Sequence, residues 1–568
     1  MVAPLRSAPA IVAVAMAFGG CAHVTNAPLC SRGSAAGNCS YDPSAQTSYR
    51  FSPRSDRDTL IIVTLSGGGT RAAALALGTL EMLGGLDGTD GGKLLDQVDV
   101  ISSVSGGSVT AGWYALHGRE GLPKNGLTEA GDDGTYGEFL KSKWTLHLAW
   151  DALNPISLLR YAFTSYERSD VLSGFLASHL YGQATYNDVL SRYKNPATPQ
   201  PYVILNATDL GHEAIFPFTQ GRFDFLCSNL LQYRVANAVA ASANFPLAFS
   251  ATGLQNFSGC DAQKSPSWGK DGPPQWVEHY NELDKRETPH SYELTQLRAA
   301  RQSDDYLQLA SPAAGASEPV DKYVHLLDGG VADNLGIRST LALEDDPARV
   351  PGLYLRLGPA NRPEGYQKIT RVLYVVVNAR NRDPGLIDNS RGPPGEISTA
   401  LRMADTLLDT STLADQDFVI SELEATANRK TAQPNHVGSA GGGASCRYQG
   451  KSSDSPPFLS SKPAAQASYA APACGLRFYV VAVDFEMIPD KACRDAFWSL
   501  GTNWGLAKNQ VVALDEIAKA ILTHSVDLED YYADAAGSDL LRKQSTQTLM
   551  SQREAHAFKG PCAQVLSK

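Results

Sequence analysis

Residues 59–83, TLIIVTLSGGGTRAAALALGTLEML, decide the fold. A β-branched, apolar run from Thr59 reads as a strand, Gly67, Gly68 and Gly69 read as a turn, and the Ala/Leu-rich stretch from Arg71 reads as a helix. The same order returns at residues 99–118: DVISSVS is a second strand, Gly106 and Gly107 are a turn, and SVTAGWYALHG is a second helix. Strands alternating with helices at this spacing predict a parallel sheet with helices on its faces.

Four more apolar runs extend the sheet: YVILNATDL (202–210), KYVHLLD (322–328), RVLYVVVNA (371–379) and LRFYVVAVDF (476–485). Their near-continuous hydrophobicity fits strands buried on both faces. VANAVAASANFPLAF (235–249) reads as a small-residue helix stopped by Pro246, and NQVVALDEIAKAILTHS (509–525) as an amphipathic helix. Residues 253–320 and 430–475 read as long excursions from this body. The expected architecture is α/β, a three-layer α/β/α body with a mainly parallel central sheet and long loop insertions.

With 568 residues, 43% of them hydrophobic, the chain can bury one large or two medium cores. A formal charge of -10 leaves no basic footprint for a phosphate backbone, so nucleic acid is not an expected partner. Arg6, the apolar run Ala8–Phe18, then Gly19, Gly20 and Cys21 read as an export signal too short to span a bilayer. This segment resembles the lipobox of bacterial lipoproteins, with Phe18 where that motif usually has Leu. The resemblance implies a lipid anchor on Cys21 and, with Ala22 following, an outer-membrane or periplasmic location. A simple secretory signal and a structural N-terminal helix are the alternatives. Residues 1–21 are then the signal, 22–56 a flexible tether rich in Ser, Ala, Gly and Asn, and 57–568 the folded body.

Setting Cys21 aside leaves Cys30, Cys39, Cys227, Cys260, Cys446, Cys474, Cys493 and Cys562 of the nine cysteines. Pairing by nearness (30 with 39, 227 with 260, 446 with 474, 493 with 562) is one of about 105 connectivities, and reduced, buried thiols are the other reading. No CxxC pair or Cys/His cluster has zinc spacing, so no metal is expected.

Chemistry concentrates at the ends of strands. In Ser103-Val104-Ser105-Gly106-Gly107, Ser105 sits where a strand ends and a helix begins. Such a turn projects a hydroxyl beyond the sheet and aims the free N–H groups of a helix N-terminus at the reacting centre. The usual GxSxG has glycine where this chain has Ser103, and Ser105 also suits a helix cap. Ser66 and Gly67-Gly68-Gly69-Thr70-Arg71 offer backbone N–H groups for an oxyanion. A phosphate loop is the rival there, but no GKS or GKT follows. Asp328-Gly329-Gly330, at the end of a buried-type strand, can present a carboxylate or simply turn the chain. Of eleven histidines, those after Asp328 that could complete a triad are His436, His524 and His556, none in a strand-end setting.

Taken together, GGGTR, then SVSGG, then DGG resemble the patatin-like phospholipase family, and YERSDVLSGFL (166–176), ILNATDL (204–210) and VANAVAASANFPLAF match it in order and character. The likeness runs from about Thr59 to Ala379. It implies a Ser-Asp dyad: Ser105 as nucleophile, Asp328 as base, the Gly67–Gly69 loop with Thr70 and Arg71 as oxyanion hole, and no cofactor. Arg71 is expected to brace the loop or meet a phosphate. The implied substrate is a membrane or micellar phospholipid or related glycerolipid. Residues 143–166, by their own aromatic and apolar clusters, suit a cover for an acyl cleft, a membrane contact or an ordinary core helix. A thioesterase or soluble carboxylesterase with the same dyad, and an idle lipoprotein that binds a partner, are the competing readings.

Overall fold

The computed structural model describes residues 24–29, 48–144, 168–257, 298–306, 322–341, 367–381, 477–534 and 547–566, apart from 53, 55, 56, 90, 125, 199, 247, 300, 503, 504, 554 and 555. An eight-stranded sheet forms the middle layer, in the order β5-β6-β3-β2-β1-β7-β8 with β4 hydrogen-bonded to β3. Its strands are β1 (Thr59–Leu65), β2 (Val100–Val104), β3 (Tyr202–Asp209), β4 (Ala214–Pro217), β5 (Thr252–Gln255), β6 (Tyr323–Asp328), β7 (Arg371–Asn378) and β8 (Arg477–Asp484). From β3 through β2, β1 and β7 to β8 every pairing is parallel. On the other side β4, β6 and β5 are joined by antiparallel pairings.

Every residue of β1, β2, β3 and β7 is buried, as apolar strands covered on both faces must be. The covering helices are α1 (Gly69–Gly85), α2 (Gly106–His117), α3 (Arg168–Leu176), α4 (Val235–Ser242), α5 (Lys491–Trp498), α6 (Lys508–Thr523) and α7 (Lys559–Leu566). Small residues let α1 and α6 approach closely: a Cβ on Gly78 would lie 2.1 Å from the carbonyl oxygen of Asp515. The fold is thus the expected mainly parallel α/β/α body.

Two boundaries differ from expectation. The stretch read as a tether is docked at both of its described parts. Val24 bridges Gly253 on the outer edge of β5, and the Asn26 amide accepts from Gln255 N at 2.8 Å and donates to Ser228 Oγ at 3.0 Å. This covers a strand edge that would otherwise be open. Tyr49 is fully buried among Tyr186, Tyr193 and Tyr202, and Arg50 forms a buried ion pair with Asp224. A few side chains suffice for this docking, so average composition did not reveal it. The excursion at 253–320 likewise takes in most of β5 and helical residues 301–306, whose Gln302 and Tyr306 hydrogen-bond the buried Asp209.

Cys493 and Cys562 are joined, tying α5 to α7, and Cys227 is also disulfide-bonded. Cys21, Cys30, Cys39, Cys260, Cys446, Cys474, His436, residues 145–166 and the stretch 430–475 lie outside the described residues. Among the described residues no helix is long and apolar enough to cross a membrane, and no group of His, Cys, Asp and Glu could hold a metal ion.

Candidate active site

Ser105 closes β2 and opens α2 with φ 50° and ψ -117°. A non-glycine residue in that region stores strain on the order of 1–3 kcal/mol and is held there only by its surroundings. The surroundings are close: a Cβ on Gly106 would sit 2.1 Å from Gly69 O, and one on Gly67 would sit 3.3 Å from Ser105 Cβ. Glycine at these positions therefore lets the loop after β1 lie directly against the elbow after β2, which pairs with it in parallel.

Asp328 reaches the same place from the opposite direction. Strand β6 runs antiparallel to β3, with Asp328 beside Ala207, while β2 ends with Val104 beside Asn206. The two strand ends thus meet across the middle of β3. Ser105 Oγ donates to Asp328 Oδ2 at 2.7 Å, and Gly330 N donates to Asp328 Oδ1 at 2.9 Å. Burial pushes the Asp328 carboxyl up to about 6, against the opposing pull of the Ser105 hydroxyl and the Gly330 N–H.

The other expected residues divide by what their groups already do. Gly67 N donates to Asn334 O and Gly107 N to Ser66 O, each at 3.1 Å. By contrast the N–H groups of Gly68, Gly69 and Gly106 meet no acceptor among the described residues. Gly68 has φ 137° and Gly69 φ 59°, backbone that side chains rarely adopt. Thr70 is buried in the first turn of α1. Arg71 turns away from the elbow: Nε donates to Ala379 O at 2.7 Å, Nη2 to Thr502 Oγ1 at 3.1 Å, and Nη1 to Leu500 O. The Ser103 hydroxyl lies beneath the elbow, donating to Ile204 O at 3.1 Å. Gly329 packs on β3, where a Cβ would fall 2.2 Å from Asn206 O.

No imidazole touches Ser105 or Asp328 among the described residues. His524 caps α6 through Ala520 O and packs on Phe558, and His556 faces Glu516. Sequence reasoning missed Asn206, Thr208 and Ser242. Asn206 Nδ2 donates to Ser103 O at 3.0 Å, and Thr208 Oγ1 donates to Asp328 O at 2.9 Å. For Asn206 and Thr208 the signal was present: each is a polar residue inside an apolar strand, where burial demands a partner.

The site is thus a buried serine–aspartate pair on a strand-to-helix elbow, beside a glycine loop and at the strand ends of an α/β/α sheet. Residues 63–341 match the family model described as Patatin-like phospholipase, and this part of the chain is a domain of that family. No curated protein matches significantly. Among solved structures, human GIVD cytosolic phospholipase A2 is similar at 16% identity and a TM-score of 0.26, over 56% of this chain and 44% of that one. The chain spans less than half of that protein.

Proposed function

We propose that this protein is a serine lipid acyl hydrolase that cleaves fatty acyl esters of phospholipids or related glycerolipids by a Ser105/Asp328 dyad. The observation that carries the reading is the 2.7 Å hydrogen bond from Ser105 Oγ to a fully buried carboxylate. Above about pH 6 Asp328 is ionised, and its raised proton affinity makes it a stronger base than an exposed aspartate. It takes the Ser105 proton as Oγ attacks the ester carbonyl carbon. The free N–H groups of Gly68, Gly69 and Gly106 receive the oxyanion, whereas that of Gly67 is already committed to Asn334. Protonated Asp328 then donates to the departing alcohol oxygen and the acyl–enzyme ester remains. Water, losing a proton to Asp328, attacks that ester and releases the fatty acid, and the proton returns to Ser105. Arg71, engaged with carbonyl oxygens, braces the glycine loop in this scheme.

The lipoprotein-type signal ending at Cys21 supports a membrane-anchored placement beside such a substrate. The deciding measurement is fatty-acid release from mixed phospholipid vesicles. Ser105→Ala and Asp328→Asn should each lose at least about 10³-fold in kcat. Equal release by Ser105→Ala and the parent would remove the enzyme reading. An active Asp328→Asn with an inactive His524 or His556 variant would replace the dyad with a triad. Turnover of short soluble esters with none of vesicle lipid would move the substrate class to soluble esters or thioesters.

A further inference from the structure

The strand order leaves a geometric question at the dyad. Ser105 ends β2 and Asp328 ends β6, and these strands never pair, because β3 lies between them. A separation of 2.7 Å between their side chains therefore needs something that measures across β3. The end of α4 does so.

Ser242, the last residue of α4, points its hydroxyl into the gap. Ser242 Oγ donates to Asn206 O on β3 at 2.6 Å, which turns its lone pairs toward the elbow. One lone pair accepts the backbone N–H of Ser105 at 2.9 Å, and Ser108 Oγ lies 2.8 Å from the same oxygen. The proton inventory agrees, because Ser103 Oγ gives its hydrogen to Ile204 O. The Ser108 hydrogen is then left for Ser242 or for Ser103 Oγ, 3.0 Å away. The same turn of chain holds the other strand. Gly329 N donates to Ser242 O at 3.0 Å, and Asp328 N donates to Asn244 O at 3.1 Å.

We propose that Ser242 is a positioning residue that sets the nucleophile–base distance by clamping the backbone of Ser105, through its hydroxyl, to the backbone of Asp328 and Gly329, through the turn it begins. The proposal rests on the Ser105/Asp328 reading. It follows that the elbow's unfavourable φ is maintained by a hydrogen bond rather than by packing alone. Without it Ser105 can relax and its Oγ can swing away from Asp328 while the fold stays intact. Asp328 would then lose the donor that favours its ionised form, and among the described residues no charged side chain is a cause of its shift.

The test uses the full chain with Ser242→Ala and with Ser242→Thr, which keeps the hydroxyl. It measures kcat and KM against pH on a soluble monomeric ester, with melting curves alongside. Ser242→Ala should lower kcat by about 10²-fold with KM nearly unchanged, as expected for a small misplacement of reacting groups. Its acid limb should move to higher pH, while Ser242→Thr stays close to the parent in both. A Ser242→Ala enzyme with parental kcat and acid limb overturns the clamp. So does a kcat loss shared by Ser242→Thr, or one that tracks a lost melting transition, since either marks a packing role. Ser105→Ala on the same ester separates the two ideas. If it is inactive while Ser242→Ala is normal, the clamp alone fails; if it is active, both fail.

Discussion

At Asp328 the requirements of chemistry and of stability pull in opposite directions. Its folded-state proton affinity exceeds that of an ordinary aspartate, up to about 6. The native state therefore holds a proton that the unfolded chain has already lost, and stability falls as pH rises through the window from the ordinary carboxylate range to about 6. The deficit persists at neutral pH, where the proposed function needs the ionised form as base. Replacing Asp328 with Asn should raise stability at pH 7.5 by on the order of 2 kcal/mol while abolishing turnover, and chemical denaturation would read it. For the parent, kcat/KM should drop by about tenfold per pH unit on the acid side of the Asp328 titration. A profile flat down to pH 4.5 would assign the base to another group. That Ser105 and Asp328 come together was legible only from the order of GGGTR, SVSGG and DGG, since alone each suits a cap or a turn. Ser242 was not, since its partner Ser105 is 137 residues away and a serine closing a helix is an ordinary sight.

The elements were read with unequal success for a physical reason. Strands β1, β3, β7 and β8 carry continuous apolar runs, and α6 carries a clear amphipathic period, so their existence could be inferred locally. Strands β4 and β5 have four residues each, and what stabilises them is pairing with β3 and β6 rather than any local pattern. The direction of β6 is also a tertiary fact, which sequence order alone does not encode. Helix α1 offers a test at this scale, because Gly78 lets it lie against the backbone of α6. Gly78→Ala should cost about 1–3 kcal/mol by forcing the helices apart, and an unchanged denaturation midpoint would show that they can separate freely. Activity should fall as well, since α1 begins at the glycine loop.

Across the molecule, the same helix pair buries a charge cluster far along α1 from the elbow. Lys519 Nζ lies 2.7 Å from Glu81 Oε2, 2.7 Å from Asp515 Oδ2 and 3.1 Å from Glu516 Oε1. One ammonium cannot balance three carboxylates. Burial, then the neighbouring Asp515, pushes Glu81 up to about 9, and burial raises Asp515 as well, so the pair holds a proton at neutral pH. The unfolded chain gives up that proton from its ordinary 4.5, so stability should decline between there and about pH 9. Glu81→Gln should flatten this decline. Melting temperatures at pH 6 and pH 9 that shift equally in the variant and the parent would refute it.

The bonds of Arg71 add an order in time to this spatial plan. Its acceptors on Ala379, Leu500 and Thr502 all lie beyond the matched stretch 63–341. A chain growing on the ribosome makes its N-terminal portion first. Until Leu500 and Thr502 emerge, two of these three partners are missing, and a buried cation short of partners is costly. The glycine loop that would receive the oxyanion thus takes its final shape only after the matched stretch has been made. On the proposed function, a chain made only through the matched stretch carries the nucleophile and its base but an unbraced loop, so a lipid hydrolase stays latent until Leu500 and Thr502 have joined it.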